Sequence, residues 1–427
     1  MRPSSAPAPA LLDAARDAAA DVVSTVEQTE AFIEKGTPQF VRTSLALFAG
    51  GFATFALLYS VQPLMPVLSA EFDLNAAQSS LVLSISTIMM AIGLLITGPI
   101  SDAIGRKKIM VVSLLSAALF TIASACMPSW HGVLLMRALL GLSLSGLAAV
   151  GMTYLSEEIH PRFIGLSMGL YIGGNAVGGM GGRLIAGVLV DFVNWRVAIG
   201  ALGVMSLLGA LLFWRILPES KHFRATALNL KNLANNYVLH MRDQGLPWLF
   251  LEAFLLMGAF VTLFNYIGYR LLGEPYHMSQ AVVGLLSVVY LSGIYSSAWV
   301  GNLADKLGRR KVLWAVIVLM FAGLLLTLFP QVPLILIGML MFTFGFFGAH
   351  SVASSWIGRR AFVAKGQASS MYLFCYYLGS SVAGTLGGVF WHHYGWLGVG
   401  VFIGALLLGA LAVSARLATL PVLPENS

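Results

Sequence analysis

The sequence predicts an all-α membrane protein with twelve transmembrane helices in two six-helix halves. Three observations predict this fold: an apolar composition, twelve long apolar runs, and a polar motif that occurs once in each half. Of 427 residues, 58% are hydrophobic and only 10% are charged, and the mean hydropathy is +0.83. Soluble domains carry about 25% charged residues, so the composition excludes a soluble fold.

The apolar runs are each long enough to cross a bilayer, which takes about 20 residues of helix. Lipid offers no hydrogen-bond partner to backbone groups, so every run is predicted to be helical. The predicted spans, numbered 1 to 12, are 43–66, 79–97, 109–127, 131–154, 164–190, 195–217, 247–271, 281–300, 312–329, 332–356, 366–390 and 396–417.

These spans divide the chain into five segments. The apolar spacing of Leu12, Val22 and Val26 predicts an amphipathic helix in the first segment. The predicted segments are a cytosolic extension (1–42), an N-terminal half (43–218), a cytosolic linker (219–246), a C-terminal half (247–419) and a cytosolic tail (420–427).

Lys and Arg placement orients the chain, because cytoplasmic loops carry an excess of both. All but four of the 25 Lys and Arg residues lie on the side of the two termini. The termini and the linker are therefore predicted to be cytoplasmic. This bias and the attraction of anionic lipid account for the net charge of +7, so no nucleic-acid partner is predicted. The four exceptions are Arg137, Arg183, Arg196 and Arg270.

The repeated motif lies in the loops after spans 2 and 8. The first copy is Gly98-Pro-Ile-Ser-Asp102-Ala-Ile-Gly105-Arg106-Lys-Lys, and the second is Gly301-Asn-Leu-Ala-Asp305-Lys-Leu-Gly308-Arg309-Arg-Lys. Farther along, Tyr171 matches Tyr372 and Trp195 matches Trp396 at a constant offset. The halves are thus predicted to be parallel repeats, a transporter plan that places the substrate site between them.

These motifs make the chain similar to the major facilitator superfamily, and within it to the twelve-span drug/proton antiporter group. Arg137-x-x-x-Gly141 resembles the arginine-bearing motif of span 4 in that group. The stretch from Gly173 to Arg183 resembles its glycine-rich antiporter motif, with Asn175 where the group has proline. Closely spaced glycines are equally typical of helix packing in membranes, so that interpretation stays open.

The resemblance implies a transporter that works by alternating access in a bacterial inner membrane. It implies proton-coupled efflux of a small organic molecule or drug; proton-coupled or facilitated uptake of a small metabolite stays open. The motif residues would then form a latch that holds the cytoplasmic side closed in the outward-facing state. The alternative is that these loops only set topology. The predicted gating residues are Gly98, Asp102, Gly105, Arg106, Gly301, Asp305, Gly308 and Arg309.

Three ionisable side chains within spans are candidates for the substrate and proton pathway, because charge in hydrocarbon is costly and usually functional. Arg137 in span 4 and Glu252 in span 7 are expected to face the cavity, and Arg183 lies in span 5. The alternatives are a structural role for Arg137, an ion pair of Arg183 with Asp191, and snorkelling of Glu252 to the cytoplasmic interface.

Polar and aromatic side chains complete the predicted pathway. Glu252 is the first candidate for proton coupling and His350 the second, since an imidazole titrates near neutral pH. A simple helix contact for His350 stays open. The further candidates are Tyr59 and Gln62 in span 1 and Asn265 and Tyr266 in span 7.

Other function classes lack their chemical signatures in the sequence. A membrane enzyme would need a catalytic cluster, but paired histidines, an acidic metal cluster and a glycine-rich phosphate loop are all missing. The two cysteines stand alone within spans and predict neither a disulfide nor a metal site. We therefore expect no enzyme activity and no cofactor. The predicted energy source is an ion gradient, of protons, and the predicted form is a monomer in the bilayer.

Overall fold

The computed structural model describes residues 32–225 and 229–420 and shows a helical membrane protein. Ten of its helices are long and apolar enough to cross a membrane. One of these, Lys365–Thr419, is two spans, because its backbone leaves the helical region at Gly395 (φ 57°, ψ −146°). The helix Ile164–Phe192 has 29 residues, but its many glycines make it less apolar. With it there are twelve spans, and the predicted fold class is confirmed.

The span bounds differ from the predicted ones mainly by added polar turns at the cytoplasmic ends. Spans 2, 4 and 10 each have 29 residues. A separate helix, Leu230–Arg242, forms most of the linker and is called the linker helix below. Spans 1 to 10 are Pro38–Tyr59, Ala76–Ile104, Arg106–Cys126, Trp130–Glu158, Ile164–Phe192, Trp195–Ile216, Leu246–Leu272, Gln280–Leu307, Arg309–Thr327 and Val332–Arg360, and spans 11 and 12 are 365–394 and 396–419.

Span 1 is the element that departs most from its predicted bounds of 43–66. Its helix ends at Tyr59, and after a tight turn a short helix begins at Met65. The physical reason is Pro63, which has no backbone N–H to continue the helix. Gln62 therefore lies in the turn after span 1. The helix predicted near Leu12 and most of the C-terminal tail lie outside the described residues.

The glycines of span 5 pack this helix closely against span 1. A Cβ atom at Gly174, Gly178 or Gly182 would overlap the span 1 backbone at residues 48, 52 and 56. Small residues let membrane helices approach this closely. In this conformation the glycine-rich motif therefore packs span 5 against span 1.

The two halves touch in the outer part of the membrane. Between spans 5 and 8, the Asp191 carboxylate accepts hydrogen bonds from the backbone N–H groups of Gln280 (3.1 Å) and Ala281 (2.9 Å). Between spans 2 and 11, the Ser381 hydroxyl donates to the Ser84 carbonyl (2.8 Å). The Asp191 contact means that this carboxylate is not the partner of Arg183.

The face of span 5 that contacts span 8 has no neighbouring atoms nearer the cytoplasm. Gly187 contacts Gly284 of span 8, but a Cβ atom at Gly165, Gly169 or Gly173 would meet no atom within 4 Å. Gly169 and Gly187 are five helical turns apart and share a face, at 3.6 residues per turn. The halves are thus joined at the outer side and separated at the cytoplasmic side, which is an inward-facing conformation.

Candidate functional site

The centre of the interface is formed by two polar side chains that occupy equivalent positions in the repeat. The Gln62 amide donates to the Asn265 side-chain oxygen (2.7 Å), joining the end of span 1 to span 7. The offset between these residues equals that between Asp102 and Asp305. Both are buried, with exposed fractions of 3% and 1%. The predicted residues Gln62 and Asn265 therefore meet where the two halves meet.

Arg183 lies beside this pair and is also buried. Its Nε donates to the Gln62 side-chain oxygen (2.5 Å), and Nη1 donates to the Gly179 carbonyl (2.6 Å). The guanidinium lies 4.5 Å from the centre of the Tyr59 ring and 4.7 Å from that of Tyr290. The aromatic rings and Gln62 hold the cation at the closed end of the inward-facing cleft.

An aromatic column runs from this cation into the C-terminal half. Phe264 packs at 5.2 Å from Tyr290, and Phe260 stacks on Phe346 with ring centres 3.8 Å apart. Below Phe346, His350 lies 4.8 Å from the Tyr376 ring. The rings of this column pack against one another from Arg183 to His350, and Phe260, Tyr290 and Phe346 are buried.

At the cytoplasmic end of the column, three ionisable or hydroxyl side chains come together. Nδ1 of His350 forms a hydrogen bond with the Tyr372 hydroxyl (2.9 Å), and Glu252 lies near that phenol. Glu252 is fully buried, and neither carboxylate oxygen has a hydrogen-bond partner among the described residues. Glu252 therefore does not snorkel in this conformation. Its burial leaves a carboxyl group whose charge has no protein partner.

Arg137 and Tyr266 lie away from the cleft, in contrast to the expectation from sequence. Arg137 is 1% exposed, and its guanidinium donates to the backbone carbonyls of Leu57 (2.9 Å), Leu58 (2.8 Å) and Val82 (3.0 Å). The break after Tyr59 leaves span 1 carbonyls without helical partners, and Arg137 satisfies them. The Tyr266 hydroxyl donates to the Gly384 carbonyl (2.6 Å) within the C-terminal half. In this conformation both residues hold helices together.

The two motif copies form ion clusters, each within its own half. Arg106 pairs with Asp102 and with Glu157 at the end of span 4 (2.7 Å). Arg309 pairs with Asp305 (2.5 Å), which also lies 3.5 Å from Arg359 at the end of span 10. These contacts fix the loop geometry while the cytoplasmic side is open. Their latch role in the outward-facing state stays a prediction.

The motif glycines have different structural roles. Gly105 (φ 118°) and Gly308 (φ 90°) end their helices in a backbone region that favours glycine. The turn positions the following arginine as the first residue of the next span. Gly98 has no neighbour within 4 Å of a hypothetical Cβ atom, and Gly301 has only Ser351 at 3.4 Å. Two of the four motif glycines are thus explained by the turn.

The linker helix contacts both halves at the cytoplasmic side. Pro99 has no N–H for the Leu95 carbonyl four residues before it, and the Tyr237 hydroxyl donates to that carbonyl (2.8 Å). Burial raises the pKa of Tyr237 to about 12, so the phenol remains a neutral donor. Asp243, after the linker helix, binds Arg360 of span 10 (2.5 Å). The linker therefore bridges the first motif copy and span 10.

Sequence reasoning missed five aromatic residues of the site: Phe260, Phe264, Tyr290, Tyr372 and Tyr376. Only Tyr372 had a signal, its match with Tyr171 in the repeat. The other four could not be separated from ordinary aromatic packing, because their role depends on which helix faces join. Tyr171 instead donates weakly to a span 4 carbonyl, at 3.4 Å from Leu147.

Comparisons with known proteins agree with this architecture. A family model described as the Major Facilitator Superfamily matches residues 47–269 and 253–426. The inner membrane transport protein YnfM of Escherichia coli is 64% identical over 393 residues, covering 92% of this chain and 94% of YnfM. The MFS-type transporter YybF of Bacillus subtilis is 46% identical, covering 92% of this chain and 98% of its own length.

Solved structures with the same fold are much more distant in sequence. A variant of the nucleoside transporter NupG superimposes with a TM-score of 0.74 at 15% identity, covering 88% of this chain and 99% of that one. An inward-facing, occupied bacterial homologue of the human lysosomal transporter Spinster gives 0.71 at 13% identity, covering 90% and 97%. At these identities the likeness concerns the fold alone.

Proposed function

This chain belongs to the Major Facilitator Superfamily, and we propose that it exports a small organic molecule in exchange for protons. It is a multi-pass transporter of the inner membrane, and its relatives are transport proteins. The observation that carries the proposal is the buried, unpartnered carboxyl group of Glu252 beside Tyr372 and His350. The remaining steps concern how this group couples to the cleft.

Proton coupling follows from the cost of burying charge. An ionised carboxylate without a partner costs several kcal/mol to bury in a dry site, whereas a neutral acid costs far less. Glu252 is about 9 Å from the cytoplasmic end of span 7, at 1.5 Å per residue. Loading or losing a proton there therefore changes the relative energy of conformations that bury or expose Glu252. The Tyr372 hydroxyl binds His350 and lies near Glu252 without a hydrogen bond to it.

Alternating access supplies the second half of the mechanism. The inward-facing cleft opens toward the cytoplasm, and the Gln62–Asn265 pair with Arg183 closes its outer end. Rocking of one half against the other exchanges the open and closed sides around a fixed site. Export requires that protons enter on the return stroke and leave Glu252 toward the cytoplasm.

Proton-linked uptake is the second candidate, favoured by Asn175. In the antiporter group this position of span 5 is proline, whereas here Asn175 packs into the span 1 interface beside Gly51. Span 5 thus keeps an unbroken helix from Ile164 to Phe192. A substrate screen in oriented proteoliposomes under an imposed pH gradient separates the two. Protons moving against the substrate support export, and co-movement supports uptake.

Replacing the carboxyl tests the coupling directly. We expect Glu252→Gln, which mimics the protonated acid, to abolish accumulation driven by the pH gradient while preserving substrate exchange across the membrane. The matched control is Glu274→Gln, at an exposed residue in the loop after span 7. Flux of the identified substrate and of protons is measured in the same vesicles. Gradient-driven accumulation by Glu252→Gln would exclude Glu252 as the coupling group.

A further inference from the structure

The positive charge of Arg183 lacks a carboxylate partner. None of the ion pairs in residues 32–225 and 229–420 includes it, and Asp191 is bound to the start of span 8. Its protein hydrogen bonds use Nε and Nη1. The contrast with Arg137 is informative, since that guanidinium binds three backbone carbonyls. Arg183 therefore keeps donor capacity and charge available for a ligand.

A second buried donor lies beside Arg183. The Asn265 side-chain oxygen accepts from Gln62, and its nitrogen Nδ2 has no hydrogen-bond partner within the described chain. Asn265 is 1% exposed, so this donor is not satisfied by bulk solvent. Gln62 thus orients Arg183 and Asn265 together, and the two residues present N–H groups without a matching acceptor. Such a pair suits a ligand that carries acceptors and negative charge.

The walls around these donors are aromatic. Tyr59 and Tyr290 lie within 4.7 Å of the guanidinium carbon, and Phe264 lies 5.7 Å from it. A small crevice between the halves is lined by Gln62, Arg183, Phe264 and Ser287 and by aliphatic side chains that include Ile267, Val283 and Leu286; Asn265 lies behind Gln62 and outside this lining. Cation–π contacts stabilise the guanidinium partly, but they do not neutralise it. The walls also favour a flat apolar group next to the anionic one.

We propose that Arg183 and Asn265 bind the carboxylate of an aromatic organic acid, whose ring system packs against Phe264 in the crevice. This inference rests on the proposed transport function and names its substrate class. The carboxylate accepts charge-assisted hydrogen bonds from the guanidinium, which are roughly twice as strong as neutral ones. Only the N-terminal half supplies the cation, because the repeat equivalent of Arg183 in span 11 is Gly384.

The test uses the full chain in lipid nanodiscs and a panel of probes. Benzoate, 1-naphthoate and 9-anthroate are titrated by calorimetry alongside their neutral amides and the corresponding arylmethylamines. At least one carboxylate is expected to bind, with its amide at least tenfold weaker, which corresponds to about 1.4 kcal/mol. Equal binding of the amide or the amine would overturn the proposal. Absence of carboxylate binding up to about 10 mM would also overturn it, since a Kd of 1 mM already corresponds to only about −4.1 kcal/mol.

Variants assign the binding to the site. Arg183→Gln is expected to lose carboxylate binding, and Arg183→Lys to be intermediate because it keeps the charge and loses the planar fork. Asn265→Leu removes the second donor and is expected to weaken the binding of carboxylates more than that of amides. This variant keeps the test decisive if Arg183→Gln does not fold. The control is Arg196→Gln, whose arginine pairs with Glu71 outside the site. Unchanged carboxylate binding in Arg183→Gln and Asn265→Leu would refute the assignment.

Transport of the same probes separates this inference from the function it rests on. A carboxylate that binds through Arg183 but never crosses the proteoliposome membrane leaves the site in place and contradicts the transport proposal. If a neutral or cationic compound is transported and no carboxylate binds, the transport proposal stands and the carboxylate site is contradicted. Gradient-driven movement of a bound carboxylate that Arg183→Gln abolishes supports both.

Discussion

Spans 4 and 10 are repeat equivalents with the same length and opposite charge. Each has 29 residues, and aligning their first residues pairs Gly146 with Gly348. The alignment also pairs Arg137 with Met339, so only span 4 carries a cation within the membrane. The two helices thus share geometry and differ where side chains meet other elements.

Their cytoplasmic ends show the charge inversion most clearly. Span 4 ends with Glu157 and Glu158, and span 10 ends with Arg359 and Arg360. Glu157 pairs with Arg106, and Arg359 pairs with Asp305, so each contacts the motif copy of its own half. The next residue of each helix contacts the linker: Glu158 pairs with His222, and Arg360 pairs with Asp243.

The comparison shows that the two halves keep charged residues at matching positions and that the signs of these charges differ. The N-terminal copy places one arginine between two carboxylates, and the C-terminal copy places one carboxylate between two arginines. Clusters of opposite net charge attract, whereas identical clusters would repel. We expect the inversion to favour approach of the two cytoplasmic ends when that side closes.

The largest effect is expected from giving span 4 the residue that span 10 has. Arg137→Met leaves three backbone carbonyls without their donor inside the membrane, and each unsatisfied group costs several kcal/mol there. We expect severe loss of folded protein in the membrane, measured by fluorescence-detected size exclusion and by Tm. Met339→Leu, a volume-conserving change at the aligned position, is the control and is expected to cost under about 1.5 kcal/mol. Wild-type Tm in Arg137→Met would show that the carbonyl contacts do not stabilise span 1.

The fold followed from the sequence because its causes are local. Apolar length, Lys and Arg bias and the repeated motif each act through short stretches of chain, and spans 2 to 12 lie close to their predicted bounds. The end of span 1 was predicted at residue 66 instead of Tyr59, because Pro63 lies inside an apolar run that hydropathy alone does not divide. Recognising Pro63 as a helix terminator would have placed Gln62 in a turn.

The site followed only in part, because it depends on which faces meet. Gln62, Asn265 and Arg183 were predicted individually, but their mutual contacts require the angle between the halves. Arg137 was expected in the cavity because its position in span 4 fits a lining helix. The sequence does not reveal that the end of span 1 would supply carbonyl acceptors to it. Glu252 and His350 were predicted as separate candidates, and Tyr372, which binds His350 and lies near Glu252, had no assigned role.

An intermediate effect is expected from replacing the motif arginines, and the two copies are expected to differ. The Arg106 side chain is 9% exposed and binds two carboxylates, whereas Arg309 is 17% exposed and binds Asp305. Hydrogen bonds to charged groups contribute about 1.5–3 kcal/mol each. We therefore expect Arg106→Ala to slow turnover at least tenfold, at near wild-type membrane expression, and Arg309→Ala to slow it less.

Conformation can be measured alongside turnover, without a known substrate. A Gly169→Cys reporter in a background with Cys126→Ser and Cys375→Ser places a thiol on the bare cytoplasmic face of span 5. If the motif latches the closed cytoplasmic side, Arg106→Ala raises the alkylation rate of this reporter more than Arg309→Ala does. Equal alkylation and equal turnover in the two variants would mean that the charge inversion has no consequence for the cycle.

The smallest effect is expected at the linker contact of span 10. Burial raises the pKa of Asp243, but hydrogen bonds from Arg360 and from the Leu246 and Gly245 amides outweigh it, so the pKa lies below its usual range. A carboxyl whose pKa is depressed by folding stabilises the protein fully above its unfolded pKa. That contribution is lost as pH falls through the folded value.

Asp243→Asn keeps the cap on span 7 and removes the charge that binds Arg360. Because Asp243 is partly exposed, we expect a cost of only about 0.5–1 kcal/mol. The difference in Tm between wild type and variant should be constant from about pH 8 to pH 5 and shrink below about pH 4, where the wild-type carboxyl protonates. The control is Asp73→Asn, at a carboxylate on the opposite side of the membrane that takes no part in the ion pairs described above. A difference that changes between pH 8 and 5 would assign the linker contact to another titrating group.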